Sequence, residues 1–274
     1  MRLPKRATAS TGESAAEDRG APLREGAILA ARRTYSPAER AADAVIHVIG
    51  VFGSLIAVSV LITIAAFTQD GWTVATLAIY GVCAFTVFVA SAAYHMLEWP
   101  AGRWLLRRFD HAAIFLKIAA TYTPFAAISL GGASGASLLA VVWAIAAVGA
   151  PLKLFAPDRL ERFSLWLYLA QGWLVVFAIG PLAASLSPEA TWMLVIGGVL
   201  YTLGVPFFLW ERLPFHNAIW HGCVLAASAC MYAAVMNGVA LAPSEASAEP
   251  ALATPAAGPP QEAPPQEAPS SGPR

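Results

Sequence analysis

The sequence predicts an all-α membrane protein, a bundle of seven transmembrane helices. Three observations carry that prediction. Hydrophobic residues make up 58% of the 274, and charged residues only 12%, about half the charged share of a soluble domain. The apolar residues gather into seven runs, each long enough to cross about 30 Å of hydrocarbon at 1.5 Å per residue. Lys and Arg occupy alternate connections between those runs and are missing from the others. A β-barrel would need many alternating segments of about ten residues, which the sequence does not contain. Helices also satisfy their own backbone polar groups in lipid.

Each span has its own justification. The first, roughly residues 44–67, carries Asp43, His47, Gly50 and Ser54 at spacings of four, three and four. That spacing puts them on one stripe, expected to face protein rather than lipid. The second, 73–97, closes on Ser91-Ala-Ala-Tyr-His95, with Ser91 one turn from His95 and able to fix its tautomer. The third, 111–130, opens at Asp110-His111 and aligns Asp110, Lys117 and Thr121 at spacings of seven and four. An unpaired ammonium at Lys117 would cost about 2.5–3.5 kcal/mol, so it either snorkels or meets a carboxylate such as Asp110 or Glu211. The fourth, 135–155, and the fifth, 163–182, rest on length and apolarity. The sixth, 190–210, includes the small pair Gly197-Gly198, which permits close helix packing. The seventh, 217–240, follows Pro214 and opens on Asn217-Ala-Ile-Trp-His221. Trp72, Trp99, Trp104, Trp192 and Trp210 fall near span ends, as interfacial aromatics do. Cys83, Cys223 and Cys230 lie inside spans with no Cys-x-x-Cys pair, and read as buried thiols.

The basic connections set the orientation. Arg2, Lys5, Arg6, Arg19, Arg24, Arg32, Arg33 and Arg40 precede the first span. Arg103, Arg107 and Arg108, then Lys153, Arg159 and Arg162, then Arg212 take every second connection after it. The positive-inside rule places the N-terminus in the cytoplasm and the C-terminus outside, and an odd number of spans agrees. Residues 1–42 are polar, without the apolar core of a signal peptide, and read as a largely disordered cytoplasmic segment. Residues 43–241 form one membrane domain. Residues 242–274, with the repeat Pro-Gln-Glu-Ala-Pro at 260–264 and 265–269, are too rich in Pro, Ala and Glu to fold. The localisation expected is the bacterial inner membrane, multi-pass.

All five histidines, His47, His95, His111, His216 and His221, lie near span ends on one predicted side. His95, His221 and Asp110 approach one depth from three helices. Imidazole nitrogen and carboxylate oxygen are ligands of Zn²⁺, so a metal site is one reading. A proton relay or buried hydrogen-bond network is the other. His216 and His221, five apart, point about 140° apart on a regular helix. Pro214 leaves room for an irregular start that would turn His216 inward. No Gly-rich phosphate loop follows a strand and no basic-aromatic groove is present, which excludes nucleic acid as a partner and leaves membrane lipids.

Five blocks together, Asp43-x-x-x-His47-x-x-Gly50, Ser91-Ala-Ala-Tyr-His95, Phe109-Asp110-His111-Ala-Ala-Ile-Phe, Thr121-Tyr-Thr-Pro-Phe125 and Asn217-Ala-Ile-Trp-His221, resemble the hemolysin III family. This is the bacterial branch of the progestin and adipoQ receptor superfamily, and the resemblance covers about residues 43 to 238. It implies a seven-helix bundle with a cytoplasmic N-terminus and Zn²⁺ near the cytoplasmic face. The implied ligands are His95, His221 and the position of Asn217, where the receptor branch has histidine, while Asp110 contacts the metal's water. Asparagine is a weak zinc ligand beside neutral imidazole, so His216 or Asp110 would have to complete the set. Met231 also stands where many relatives have histidine. The resemblance further implies a ceramidase-like hydrolase of lipid amide or ester bonds, with Asp110 as general base and Ser91 as a supporting donor. A membrane-homeostasis sensor without turnover and a pore-forming cytolysin are the alternatives, the cytolysin poorly suited to seven uncleaved spans.

The charge pattern makes a direct prediction. Alkaline phosphatase fused after residue 242 is expected to be active and the same reporter fused after residue 156 inactive; the reverse would overturn the orientation.

Overall fold

The computed structural model describes residues 35–156 and 163–242, and among them every regular element is helical. Seven helical spans are long and apolar enough to cross a membrane: Pro37–Thr68, Gly71–Met96, Pro100–Leu130, Gly132–Phe155, Ser164–Ser185, Pro188–Leu209 and His216–Ala240. Most of the N-terminal segment 1–42 and of the tail 242–274, with Arg159 and Arg162, lies outside the described residues.

Two spans begin well before the apolar runs that announced them. The first starts at Pro37 because Ser36 and Glu39 form a capping box: the Ser36 hydroxyl accepts from Glu39 N at 3.2 Å, and Glu39 Oε2 accepts from Ser36 N at 2.8 Å. The third starts at Pro100 rather than near 111. Its added turns are amphipathic: the Arg103 guanidinium lies 4.9 Å from the Tyr94 ring centre, and Arg108 lies 4.6 Å from that of Trp104. A search for apolar runs passes over such a polar first stretch. His111 consequently lies two turns inside the helix rather than at its opening. The second span is capped by Asp70, whose carboxylate accepts from Trp72 N at 2.8 Å and Thr73 N at 3.1 Å. The Thr73 hydroxyl, donating at 2.6 Å, and these backbone donors hold Asp70 below the usual carboxylate range.

Consecutive spans one to four pack side by side, the sixth packs on the seventh, and the seventh returns to the first. The third is the most enclosed, with 56% of its apolar window buried against 17% for the first. It is therefore the span on which polar residues can be held away from lipid.

Polar side chains repair the places where helices lose regularity. The fifth span tightens into a 3-10 stretch at Leu174–Ala178. There the Tyr122 hydroxyl accepts from Val175 N at 2.9 Å and faces the carbonyls of Gly172 at 2.6 Å and Gln171 at 3.0 Å. The Gln171 amide, fully buried, donates to Val142 O at 3.1 Å and Phe115 O at 3.3 Å, tying the third, fourth and fifth spans. A side chain from a neighbouring helix thus supplies what water cannot supply in lipid.

The third span ends in a widened turn, Phe125–Leu130, and the chain reverses through Gly131 and Gly132 at φ 59 and 54. Just beyond, a Cβ on Gly135 would stand 2.0 Å from the Ala126 carbonyl oxygen, so the third and fourth spans meet there backbone to backbone. Gly135→Ala is expected to destabilise the bundle by about 1–3 kcal/mol, read as a lower melting temperature of the purified protein, whereas Gly53→Ala, with open space at its Cβ, should be silent.

Candidate metal centre

Asp43 and His47 are one turn apart on the first span, His95 closes the second, and His221 stands in the second turn of the seventh. The stripe spacing on the first helix turns Asp43 and His47 inward together, and the return of the seventh span against the first brings His221 to them. One ligand atom from each of these four residues lies within 4.8 Å of the other three. The three imidazole centroids form a triangle with sides of 5.0, 4.4 and 4.6 Å.

The carboxylate of Asp43 joins the group. His221 Nδ1 donates to Asp43 Oδ1 at 2.6 Å, and His95 Nδ1 lies 3.4 Å from Oδ2. His47 Nδ1 donates to the Asp43 carbonyl oxygen at 2.8 Å. That bond leaves His47 Nε2 without a proton in the neutral ring, and the Ser91 hydroxyl lies 3.3 Å from it. Ser91 also hydrogen-bonds the carboxyl of Asp110, which is buried. Ser91 therefore stands between the His/Asp group and Asp110.

The donor set suits a divalent cation. Three imidazole nitrogens and one carboxylate are hard-to-borderline ligands. An ion with bonds of about 2.0–2.1 Å holds its ligand atoms within ~4 Å of one another, so small ring rotations would close the group around it. The group opens on a cavity of about 840 Å³ inside the bundle, lined by His47, Ser91, His95, Asp110 and His221 at one end and mostly by apolar side chains elsewhere.

The sequence reading named His95, His221, Asn217 and His216 as ligands and Asp110 and Ser91 as catalytic residues. The structure brings His95 and His221 together and sets Ser91 and Asp110 beside them. It does not bring His216 to them. Phe215, at φ 60, starts the last helix irregularly as Pro214 suggested, yet His216 Nε2 lies 3.0 Å from the Tyr35 hydroxyl with its ring stacked on Tyr35. Asn217 lines the cavity one turn before His221. Asp43 and His47 fill the gap from the first span. Their signal was the stripe itself, an aspartate and a histidine facing protein in a segment that is otherwise mostly apolar. Lys117 also departs from expectation: its ammonium donates to Tyr201 Oη and to Ser228 Oγ, the latter at 2.7 Å, and meets no carboxylate among the described residues.

Comparison with known proteins bears directly on these residues. The family model for haemolysin-III related proteins matches residues 38–232, a stretch that contains all four members of the His/Asp group. The chain belongs to the haemolysin-III family. It is 40% identical over 205 residues to Hemolysin-3 of Bacillus cereus, covering 75% of this chain and 94% of that protein. It is 39% identical over 198 residues to the Hemolysin-3 homolog of Bacillus subtilis (strain 168), covering 72% and 93%. The human monocyte to macrophage differentiation factor is 26% identical over 186 residues, covering 65% and 76%. No solved structure matches the chain. Family and fold together make this haemolysin-III chain a multi-pass membrane protein.

If the four residues hold a metal, the detergent-purified protein should contain it near stoichiometrically, and His47→Ala, His95→Ala and His221→Ala should each lose it, while His216→Ala keeps it. Mass-spectrometric metal analysis reads the outcome; retention in His47→Ala with loss in His216→Ala would restore the ligand set drawn from the sequence.

Proposed function

We propose that this haemolysin-III protein is a zinc-dependent hydrolase of lipid amide or ester bonds, resident in the bacterial inner membrane with its N-terminus in the cytoplasm. The observation that carries the reading is the placement of the His/Asp group at the polar end of a largely apolar cavity, with a second buried carboxyl, Asp110, one serine away. A lipid could enter such a cavity with its acyl chain among apolar walls and its linkage at the polar end.

His47, His95 and His221 would hold the ion, with Asp43 as the fourth ligand or as the carboxylate that orients His95 and His221. Zinc, when bound, polarises a carbonyl and acidifies a coordinated water toward pKa ~7. Asp110 accepts the proton of the attacking water and returns it to the departing nitrogen or oxygen. Ser91 donates to the Asp110 carboxylate and holds it in place, while the Asp43 carbonyl fixes the His47 tautomer that leaves Nε2 for the ion. This ligand set uses neither Asn217 nor His216.

A second reading rests on the count of ligands. Four protein ligands describe a closed structural site, whereas catalytic zinc keeps an open position. If Asp43 ligates along with all three histidines, the ion is structural and the protein is a membrane-homeostasis sensor without turnover. The relatives' name records hemolysin, but seven resident spans give pore formation no basis.

The readings separate on Asp110. For a hydrolase, Asp110→Asn should lower lipid amide or ester cleavage by about 10²–10⁴-fold while retaining metal, and overexpressing cells should show raised free fatty acid or lyso-lipid that both Asp110→Asn and His95→Ala abolish. Unchanged lipid pools in every strain would leave the sensor, and dye release from liposomes by wild type and both variants alike would mean a pore.

A further inference from the structure

The described residues place a second polar cluster at the middle of the membrane, apart from the His/Asp group. Lys117 is at the midpoint of the third span, Ser228 at that of the seventh, and Tyr201 lies within the sixth. Each follows the metal end by a fixed offset: Lys117 is seven residues beyond Asp110, and Ser228 seven beyond His221. Seven residues of helix rise about 10 Å, so the cluster lies that much deeper along the bundle.

Lys117 is 7% exposed. Its ammonium donates to Tyr201 Oη and Ser228 Oγ, and those two oxygens are themselves 2.8 Å apart. The ammonium also lies 4.4 Å from the Tyr201 ring centre and 5.9 Å from that of Phe88. None of these partners carries a negative charge. Ser228 Oγ donates onward to the Val224 carbonyl at 2.7 Å, a neutral acceptor. Lysine has three N–H donors, and two are used. Both Lys117 and Tyr201 line the 840 Å³ cavity, so the third donor and the positive charge have open space before them. A cation held at membrane depth without a counter-charge marks a ligand or ion site.

We propose that Lys117 and Tyr201 form a binding site for the carboxylate of a long-chain amphiphile whose tail extends away from the metal end. One ammonium balances one charge, so a monoanionic carboxylate leaves the Lys117 cluster neutral, whereas a phosphate dianion would leave negative charge there. Beyond Lys117 the third span lines the cavity with Ile118, Phe125, Ala126 and Leu130, and with Thr121 and Tyr122, whose hydroxyls are taken up by the carbonyls of Lys117 and Gly172. That wall suits an alkyl chain. The site stands on the mid-membrane cluster alone and does not require the metal or any hydrolysis.

The test uses full-length protein in phosphatidylcholine nanodiscs, with palmitate and methyl palmitate as probes, before and after chelation and again in His95→Ala. Palmitate should bind wild type at least about tenfold more tightly than the ester, as a charge-assisted hydrogen bond predicts. Lys117→Met should bring palmitate down to the level of the ester and leave the ester unchanged, with thermal melting reporting that the variant is folded. Tyr201→Phe, which keeps the ring, should weaken palmitate several-fold. The same pattern is expected in chelated protein and in His95→Ala, so failure of the metal reading would not disturb it. Equal binding of acid and ester, or undiminished palmitate binding by Lys117→Met, would overturn the site. Stabilisation of wild type but not Lys117→Met by chloride, without palmitate binding, would identify a small inorganic anion and overturn the lipid assignment.

Discussion

Asp43 is the point on which the polar end of this bundle depends. Its carboxylate meets imidazoles from the second and seventh spans, and its own carbonyl receives the His47 ring one turn along. Remove that carboxylate and the imidazoles of His95 and His221 would lose their shared acceptor in a low-dielectric interior, an arrangement that buried polar groups do not tolerate. The contact also closes the fold, because it fastens the last span to the first. Where the seventh helix begins, Glu39 Oε1 accepts from Phe215 N at 3.0 Å and Tyr35 meets His216, so the same two spans are joined again near the cavity mouth. His216, which spacing made a candidate ligand, belongs to this second fastening.

The same rule governs the rest of the membrane core. Tyr122 answers the irregular turn of the fifth span, Gln171 bridges three helices, and Lys117 gathers two hydroxyls. Each is a polar group placed on or against the third span, the one most enclosed by protein. A helix exposed to lipid could not carry Asp110, Lys117 and Tyr122 together. Because it is central, it also lines most of the length of the cavity, and one helix therefore presents chemistry at the metal end, at mid-membrane and along the apolar wall.

What the sequence determined by itself follows from local physics. Seven apolar runs of membrane length need no partner to be recognised, and all seven spans are where they were expected, with ends moved only where a cap or an amphipathic turn extends a helix beyond its apolar part. The inward stripe of the first span was equally legible, since helical periodicity fixes which side chains share a face, but the Ser91 hydroxyl, one turn from His95, meets His47 and Asp110 instead. The family likeness also lay in the sequence blocks, which keep their residues and order.

Only the tertiary structure decided which polar side chains meet. Periodicity gives an angle around one helix but not the neighbour that the angle faces, so the stripe turned His47 toward protein without showing that the seventh span packs there. Asn217 entered the expected site because the receptor branch has histidine at that position, and His216 because an irregular helix start could turn it inward. The strained turn at Phe215 sends the His216 ring to Tyr35, and Asn217 lines the cavity wall. Lys117 was expected either to snorkel or to meet a carboxylate, the two outcomes that a charge in lipid suggests from sequence. Two hydroxyls from helices more than eighty residues away met it instead, a contact that depends on how helices three, six and seven are arranged in space.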